Sequence, residues 1–204
     1  MLRQSLDTPW KASIELRRLA HLPYARLYFA LAGVTWGKRW SIYGVPLILR
    51  HRGSHIRIGD GLTLRSWYAS NPLGVSRRTI LCTWQREAQL NLGHGVGMTG
   101  AVIVAQTRVD IGDRVWIGAN STIIDTDFHP LAPELRQTAP SAGLSRPVMI
   151  EEDVFIGMNA IILKGSHVGA GAVIGAGAVV SGDVPARMIV AGNPAQIVGE
   201  VRPS

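Results

Sequence analysis

The chain has 204 residues, 21 Lys and Arg against 14 Asp and Glu, and one cysteine. That length suits one substantial domain with a small appendage. The lone Cys82 excludes an internal disulfide and makes a reducing cytoplasm the expected compartment. The net charge of +7 suits anionic ligands or a membrane surface, but no recognition helix or stacking-aromatic motif for nucleic acid accompanies it.

Met1 to Trp10 is polar and reads as no secretory signal, and the apolar stretch Leu27 to Val34 falls short of the roughly 20 residues that span a bilayer. Residues 1–38 are predicted as a helical cap made of two short helices. Thr8 caps the first, with Pro9 in its first turn, and Pro23 separates it from the second. In the second, Tyr24, Leu27, Tyr28 and Leu31 follow the i, i+3, i+4, i+7 spacing, and Gly33 is the expected stop. The cap reading is preferred; Arg17, Arg18 and Arg26 make these helices candidates for peripheral membrane contact instead.

A different period takes over from residue 39 to the end. Ile42 and Ile48 are six apart, as are Ile58 and Leu64. Residues 66–79 break the pattern and read as a loop, with Asn71-Pro72 and Leu73-Gly74 as turn pairs. Leu92, Met98 and Val104 resume the period, a one-residue slip follows, and Ile111, Ile117 and Ile123 continue it. The clearest run is Ile150, Ile156, Ile162, Val168, Ile174 and Val180, with a small or branched residue two places before each. Neither a helix nor a simple strand repeats at six; a hexapeptide solenoid does, as an all-β triangular helix with three hexads to a coil. Ile156 is then expected to stack on Ile174, and Ile150 on Val168. Ile123 and Ile150 are 27 residues apart, 21 more than the repeat, so 125–147 is an inserted corner loop. The tail from Gln196 reads as a final short strand that leaves the body.

The hexads, the Asp127-Phe128-His129-Pro130 loop between coils, and the stretch Ile189-Val190-Ala191-Gly192-Asn193-Pro194-Ala195 together resemble the hexapeptide-repeat acyltransferases. The resemblance covers roughly residues 40–199 and is closest to the maltose, galactoside and nodulation-sugar O-acetyltransferases and related enzymes of polysaccharide biosynthesis. It implies a left-handed parallel β-helix, a homotrimer with active sites between subunits, and acetyl-CoA as acyl donor. It places the catalytic histidine at His129. A base must take the acceptor hydroxyl's proton as that oxygen attacks the thioester, and an imidazole suits this near neutral pH. Asp125 or Asp127 is a candidate to orient the ring, with a backbone carbonyl the alternative.

The resemblance places the donor against Met158, Ala176 and Ser181, and the low relief of Gly157, Ala176 and Gly177 suits a pantetheine arm. Lys164, Arg187 and Arg202 are phosphate candidates. Asn71, Trp67 and Tyr68 are acceptor candidates, the aromatics as a stacking face for a sugar. Three positions depart from family patterns: Gly182 and Gln196 stand where lysine or arginine is common, and Gly100 where maltose-type enzymes carry an asparagine. The histidines lack a metal-ligand spacing, so no metal is expected. N-acetylation of an amino sugar and a non-catalytic scaffold are the alternatives to O-acetyl transfer.

Overall fold

A computed structural model describes residues 8–202, so the polar opening before Thr8 and the last two residues of the tail lie outside the described residues. The chain winds into a left-handed parallel β-helix fronted by one helix. That helix, α1, runs unbroken over Pro9–Leu31. The expected break at Pro23 does not occur. An interior proline costs about 3 kcal/mol and leaves the Leu19 carbonyl without its helical donor. Contacts on both sides of the proline outweigh this: before it Arg17 and His21 pack on Trp67, and after it Ala25 and Phe29 are buried, with Phe29 edge-on against Trp36 and Trp40 at 5.5 and 5.3 Å. Gly33 does stop the helix, at φ +71, with Gly33 N–H donating to Ala30 and Val34 N–H to Phe29.

The coils follow in order. The first holds β1 (Ser41–Tyr43), β2 (Leu47–Arg50) and β3 (His55–Ile58), and the second β4 (Thr63–Arg65), β5 (Ile80–Thr83) and β6 (Gln89–Leu92). Then come β7 (Gly97–Thr99), β8 (Val102–Ala105) and β9 (Arg108–Ile111), and β10 (Trp116–Ile117), β11 (Thr122–Ile124) and β12 (Val148–Ile150). The last are β13 (Phe155–Ile156), β14 (Ile161–Ile162) and β15 (His167–Val168), then β16 (Val173–Ile174) and β17 (Val179–Val180), and the closing pair β18 (Met188–Ala191) and β19 (Gln196–Glu200). Equivalent strands pair in parallel to form three walls: sheet A from β1 to β18, sheet B from β2 to β17, sheet C from β3 to β15.

Each wall turns at least one aliphatic per coil inward. In sheet A these are Ile42, Leu64, Met98, Ile117, Ile156, Ile174 and Val190. Ile150 pairs with Val168 in sheet C, as its spacing requires. Sheet B corrects one rung: Ile103, not Val104, lines up with Leu81 and Ile123. The corner at Gly100 is short by one residue and the next corner long by two, so the slip is split between the two sides of β8.

Glycines after the inward aliphatic keep the coils at sheet spacing. A Cβ on Gly118 would sit 2.6 Å from the Met158 nitrogen, and one on Gly157 2.5 Å from the Ala176 nitrogen. The tail departs from expectation: β19 forms, but it folds back antiparallel on β18 and covers the sheet edge instead of leaving the body.

α1 is also tied to the first coils by charge. Glu15 meets Tyr43 Oη and Arg18, and the Arg65 guanidinium stacks 4.1 Å from the Tyr43 ring centre. Partial burial opposes the Glu15 charge, yet the hydrogen bonds from Tyr43 and Arg18 outweigh it and hold the carboxyl below its ordinary 4.5. A folded-state value below the unfolded one adds stability at higher pH that is lost as pH falls through the folded value. Glu15→Gln should therefore remove part of the acid sensitivity below about pH 4.5, by under about 1 kcal/mol at this half-exposed site, in urea melts across pH. Ile162→Ala, at a fully buried rung, should cost about 2–5 kcal/mol in the same melts.

Candidate active site

The inserted loop leaves sheet B after β11 and returns into β12. Its neck is zipped. Thr126 and Ser145 form an antiparallel bridge, Asp127 N–H donates to Leu144, and Arg146 N–H donates to Asp125. Between them lies a short helix, α2 (Pro133–Thr138), that the proline-rich sequence did not suggest.

Asp125 is fully buried at the neck. Its carboxylate accepts from the backbone N–H groups of Gln106, Thr107 and Arg108 at 2.6, 2.7 and 2.8 Å, and from the Thr107 hydroxyl at 2.8 Å. Three successive amides converging on one carboxylate form an anion nest that binds the loop root to the preceding coil. Asp127 is used differently: Lys164 Nζ lies 2.6 Å from its Oδ1. Neither carboxylate is among the hydrogen-bond partners found for the His129 ring. Its Nδ1 lies 2.7 Å from the Pro140 carbonyl oxygen, so the backbone carbonyl takes the orienting place proposed for the aspartates. A carbonyl only accepts, which puts the proton on Nδ1 and the basic lone pair on Nε2.

The backbone around His129 is held in a rare form. Phe128 sits at φ +58, a strained region for a bulky residue, within a turn closed by His129 N–H donating to the Asp127 carbonyl at 2.6 Å. Two packing contacts hold it there. The Phe128 ring meets Trp84 edge-on at 5.8 Å, and Gly143 approaches so closely that a Cβ would lie 2.4 Å from the Phe128 carbonyl carbon. Gly143, the one glycine inside the insertion, was the only sequence signal for this packing; the Pro140 carbonyl left none.

The other expected site residues divide. Met158, Ala176 and Gly177 share the corner between sheets A and B, with Gly177 N–H donating to Met158. Gly157 is there too, but it is buried and its missing side chain is required by the coil above. Ser181 follows β17 at the opposite corner, next to the coil position of Lys164 and on the same edge of sheet B as the loop neck. The Met158–Gly177 corner and the loop root thus lie at opposite ends of the sheet B strands. Of the phosphate candidates, Lys164 is paired with Asp127, Arg187 donates to the Val201 carbonyl at 2.9 Å, and Arg202 is exposed.

The acceptor candidates have structural work already. Trp67 carries the Arg17 guanidinium over its face at 4.3 Å and His21 against its edge at 5.1 Å, so its stacking face joins α1 to the solenoid. Asn71 closes its own turn through Leu73 N–H and donates to Thr99 Oγ1 at 3.1 Å. Tyr68 is exposed and remains open to a ligand. Loop 66–79 lies over the corner: Asn120 bonds to both Ser76 and Gly74, and Arg77 donates to the Asn120 carbonyl at 2.6 Å. This explains Gly100. A Cβ there would press on Asn120 Oδ1 at 2.8 Å and on Val75 Cγ1 and the Arg77 carbonyl at 3.0 Å. Cys82 is buried, and burial followed by the Asp125 charge pushes its thiol above the ordinary range, which removes it as a nucleophile.

A prism of hexapeptide coils with a histidine-bearing loop at one corner defines a class, and the comparisons agree with it. Residues 147–182 match the family model for bacterial transferase hexapeptide repeats, and residues 108–124 that for the hexapeptide repeat of succinyl-transferase. A galactoside O-acetyltransferase of Lactococcus lactis is 36% identical over 102 residues, 50% of this chain and 48% of that enzyme. A 2,3,4,5-tetrahydropyridine-2,6-dicarboxylate N-acetyltransferase of Staphylococcus aureus is 51% identical over 59 residues, 29% of this chain and 23% of that enzyme. The chain thus spans about half the length, or less, of these curated relatives. A hexapeptide-repeat acetyltransferase of Vibrio cholerae, solved with acetyl coenzyme A, superposes with a TM-score of 0.56 at 26% identity, covering 86% of this chain and 76% of that one. In its repeats, its sequence and its fold the chain is similar to the hexapeptide-repeat acyltransferases.

The loop root gives a direct test of what holds the imidazole. Asp125→Ala removes the shared acceptor of three part-buried backbone amides and should lower stability by about 1–3 kcal/mol in urea melts. Lys164→Met should leave the melt within about 1 kcal/mol, because its pair with Asp127 is only partly buried.

Proposed function

We propose that the protein transfers an acetyl group from acetyl-CoA to a hydroxyl of a sugar or polysaccharide precursor, with His129 as general base. The observation that carries this is the contact of Nδ1 with the Pro140 carbonyl, which aims a basic Nε2 out of an exposed loop. Nε2 takes the acceptor hydroxyl's proton as the oxygen adds to the thioester carbonyl. The tetrahedral intermediate collapses, the C–S bond breaks, and the CoA thiolate leaves and is protonated. With Cys82 buried and its thiol pushed up, direct transfer is favoured over an acyl-cysteine intermediate.

The donor lies along the low corner of Met158, Ala176 and Gly177, with Gly157 beneath and Ser181 at the far edge. Because that corner and the loop root sit at opposite ends of sheet B, we place a neighbouring copy between them, so that one copy's histidine faces another's donor wall. The outward face of sheet B suits such a neighbour. It presents Leu47, Ile80, Val102, Ile161 and Val179 in one column, interrupted by Thr122, with Leu49 and Ile124 beside it. Sheet C instead turns mainly polar side chains outward, Arg57, Asn91, Asp110 and His167, with Met149 among them. We take a homotrimer as the assembly built on this face, with the cytoplasm as its compartment on the ground of the lone cysteine.

The N-acetyltransferase of Staphylococcus aureus supports an amino acceptor less well, since it matches over only 59 residues of coil. The test is thiol release from acetyl-CoA with a saccharide panel, read with mass spectrometry for a gain of one acetyl. His129→Ala should keep the fold and lose a factor of roughly 10²–10⁴ in turnover. Unchanged turnover in that variant would remove the proposal, acetylation of amino sugars alone would move it to nitrogen, and no thiol release at all would leave a scaffold.

A further inference from the structure

We infer that the outward face of α1 docks on an anionic lipid bilayer. The inward face of this helix is settled by Ala25 and Phe29, which are buried, and by Tyr28, which packs on the same core. On the opposite side, at 100° per residue, Leu16, Ala20, Pro23, Leu27 and Leu31 fall at i, i+4, i+7, i+11 and i+15. Leu16, Leu27 and Leu31 are 70%, 59% and 79% exposed. A helix lying on a protein surface ordinarily turns a polar face to water; this one has a second apolar stripe, about 22 Å long at 1.5 Å per residue.

The charge around the stripe selects the occupant. Arg17 borders it on one side and Arg26 on the other, and exposed Lys38 and Arg39 follow in the loop beyond the helix. The only acid of α1 is Glu15, and it is engaged by Arg18 and Tyr43. Arg17 lies over Trp67 and Arg26 over Trp36, so both charges are held at the edges of the stripe rather than swinging free. A second copy laid on this face would bring arginines against arginines. Anionic headgroups complement them, while the leucines enter the acyl boundary. No helix among the described residues is long and apolar enough to cross a membrane, so α1 lies in the plane of the interface.

Sedimentation of the full chain with vesicles tests this. Vesicles of phosphatidylcholine with phosphatidylglycerol should carry the protein down, those of phosphatidylcholine alone should not, and added salt should weaken binding. The double variant Leu16→Glu with Leu27→Glu should lose at least about tenfold in partitioning while its melting temperature and thiol release in solution stay unchanged. Arg17→Gln and Arg26→Gln should each lower partitioning roughly fivefold. Equal binding to both vesicle types, no binding to either, or full binding by the glutamate variant would overturn the inference. So would a change in oligomeric mass caused by that variant, which would assign the stripe to another copy. Acyl transfer is read in solution without vesicles, so failure here is distinct from failure of the enzyme assignment.

Discussion

The structure depends on the distance between neighbouring coils. Parallel strands stacked at about 4.8 Å leave no axial room beyond the backbone at the corner residues that follow Ile117 and Ile156. Glycine at 118 and 157 answers that directly, because a Cβ at either would meet backbone atoms of the next coil at 2.5–2.6 Å. Once those residues are bare, equivalent positions superpose, and Ile117, Ile156 and Ile174 form one continuous apolar column. The same constraint decides where variation is allowed. Extra residues cannot enter a wall without breaking its ladders, so they leave at corners, and the two long excursions, 66–79 and 125–147, both do so.

A corner loop that carries the proposed base must be fixed without help from the ladders. Here the fixing is polar at the root and apolar above it. A buried carboxylate costs several kcal/mol when isolated, but the four donors around Asp125 replace its water, so it anchors the loop instead of moving protons. Above it, the Trp84 contact and the close approach of Gly143 hold Phe128 in a conformation it would not adopt alone. The imidazole is then aimed by a carbonyl that comes from the far limb of the same loop. Each of these supports lies outside the hexad pattern.

That division explains what the sequence could tell. A period of six reports only what repeats, so Ile150 to Val180 gave wall, register and core at once. It failed where the coil is irregular: Val104 satisfied the count, but a tight corner at Gly100 shifted the rung to Ile103. It failed again where tertiary packing overrode local preference, as at Pro23. The family resemblance located His129 but not its partner, because a main-chain oxygen has no residue identity to read. Trp67 illustrates the converse. An aromatic beside a loop suggested sugar stacking, while its actual neighbours come from α1, some 50 residues earlier in the chain.

The distribution of outward side chains separates the surfaces by role. Sheet C shows mainly charged and amide side chains, with Met149 among them. Sheet B shows a column of aliphatics interrupted by Thr122 on a flat, ladder-built wall, and a flat wall is matched well by another of the same kind, as symmetric assembly requires. The α1 stripe is apolar too, but it is one helix wide, convex and edged with arginine. A flat protein wall would touch it only along a line and leave the guanidinium groups facing aliphatics. A deformable anionic layer wraps a convex ridge and neutralises its edges together. The sheet B wall and the α1 stripe differ in curvature and charge and therefore suit different partners, and the candidate chemistry lies at the corners of the prism.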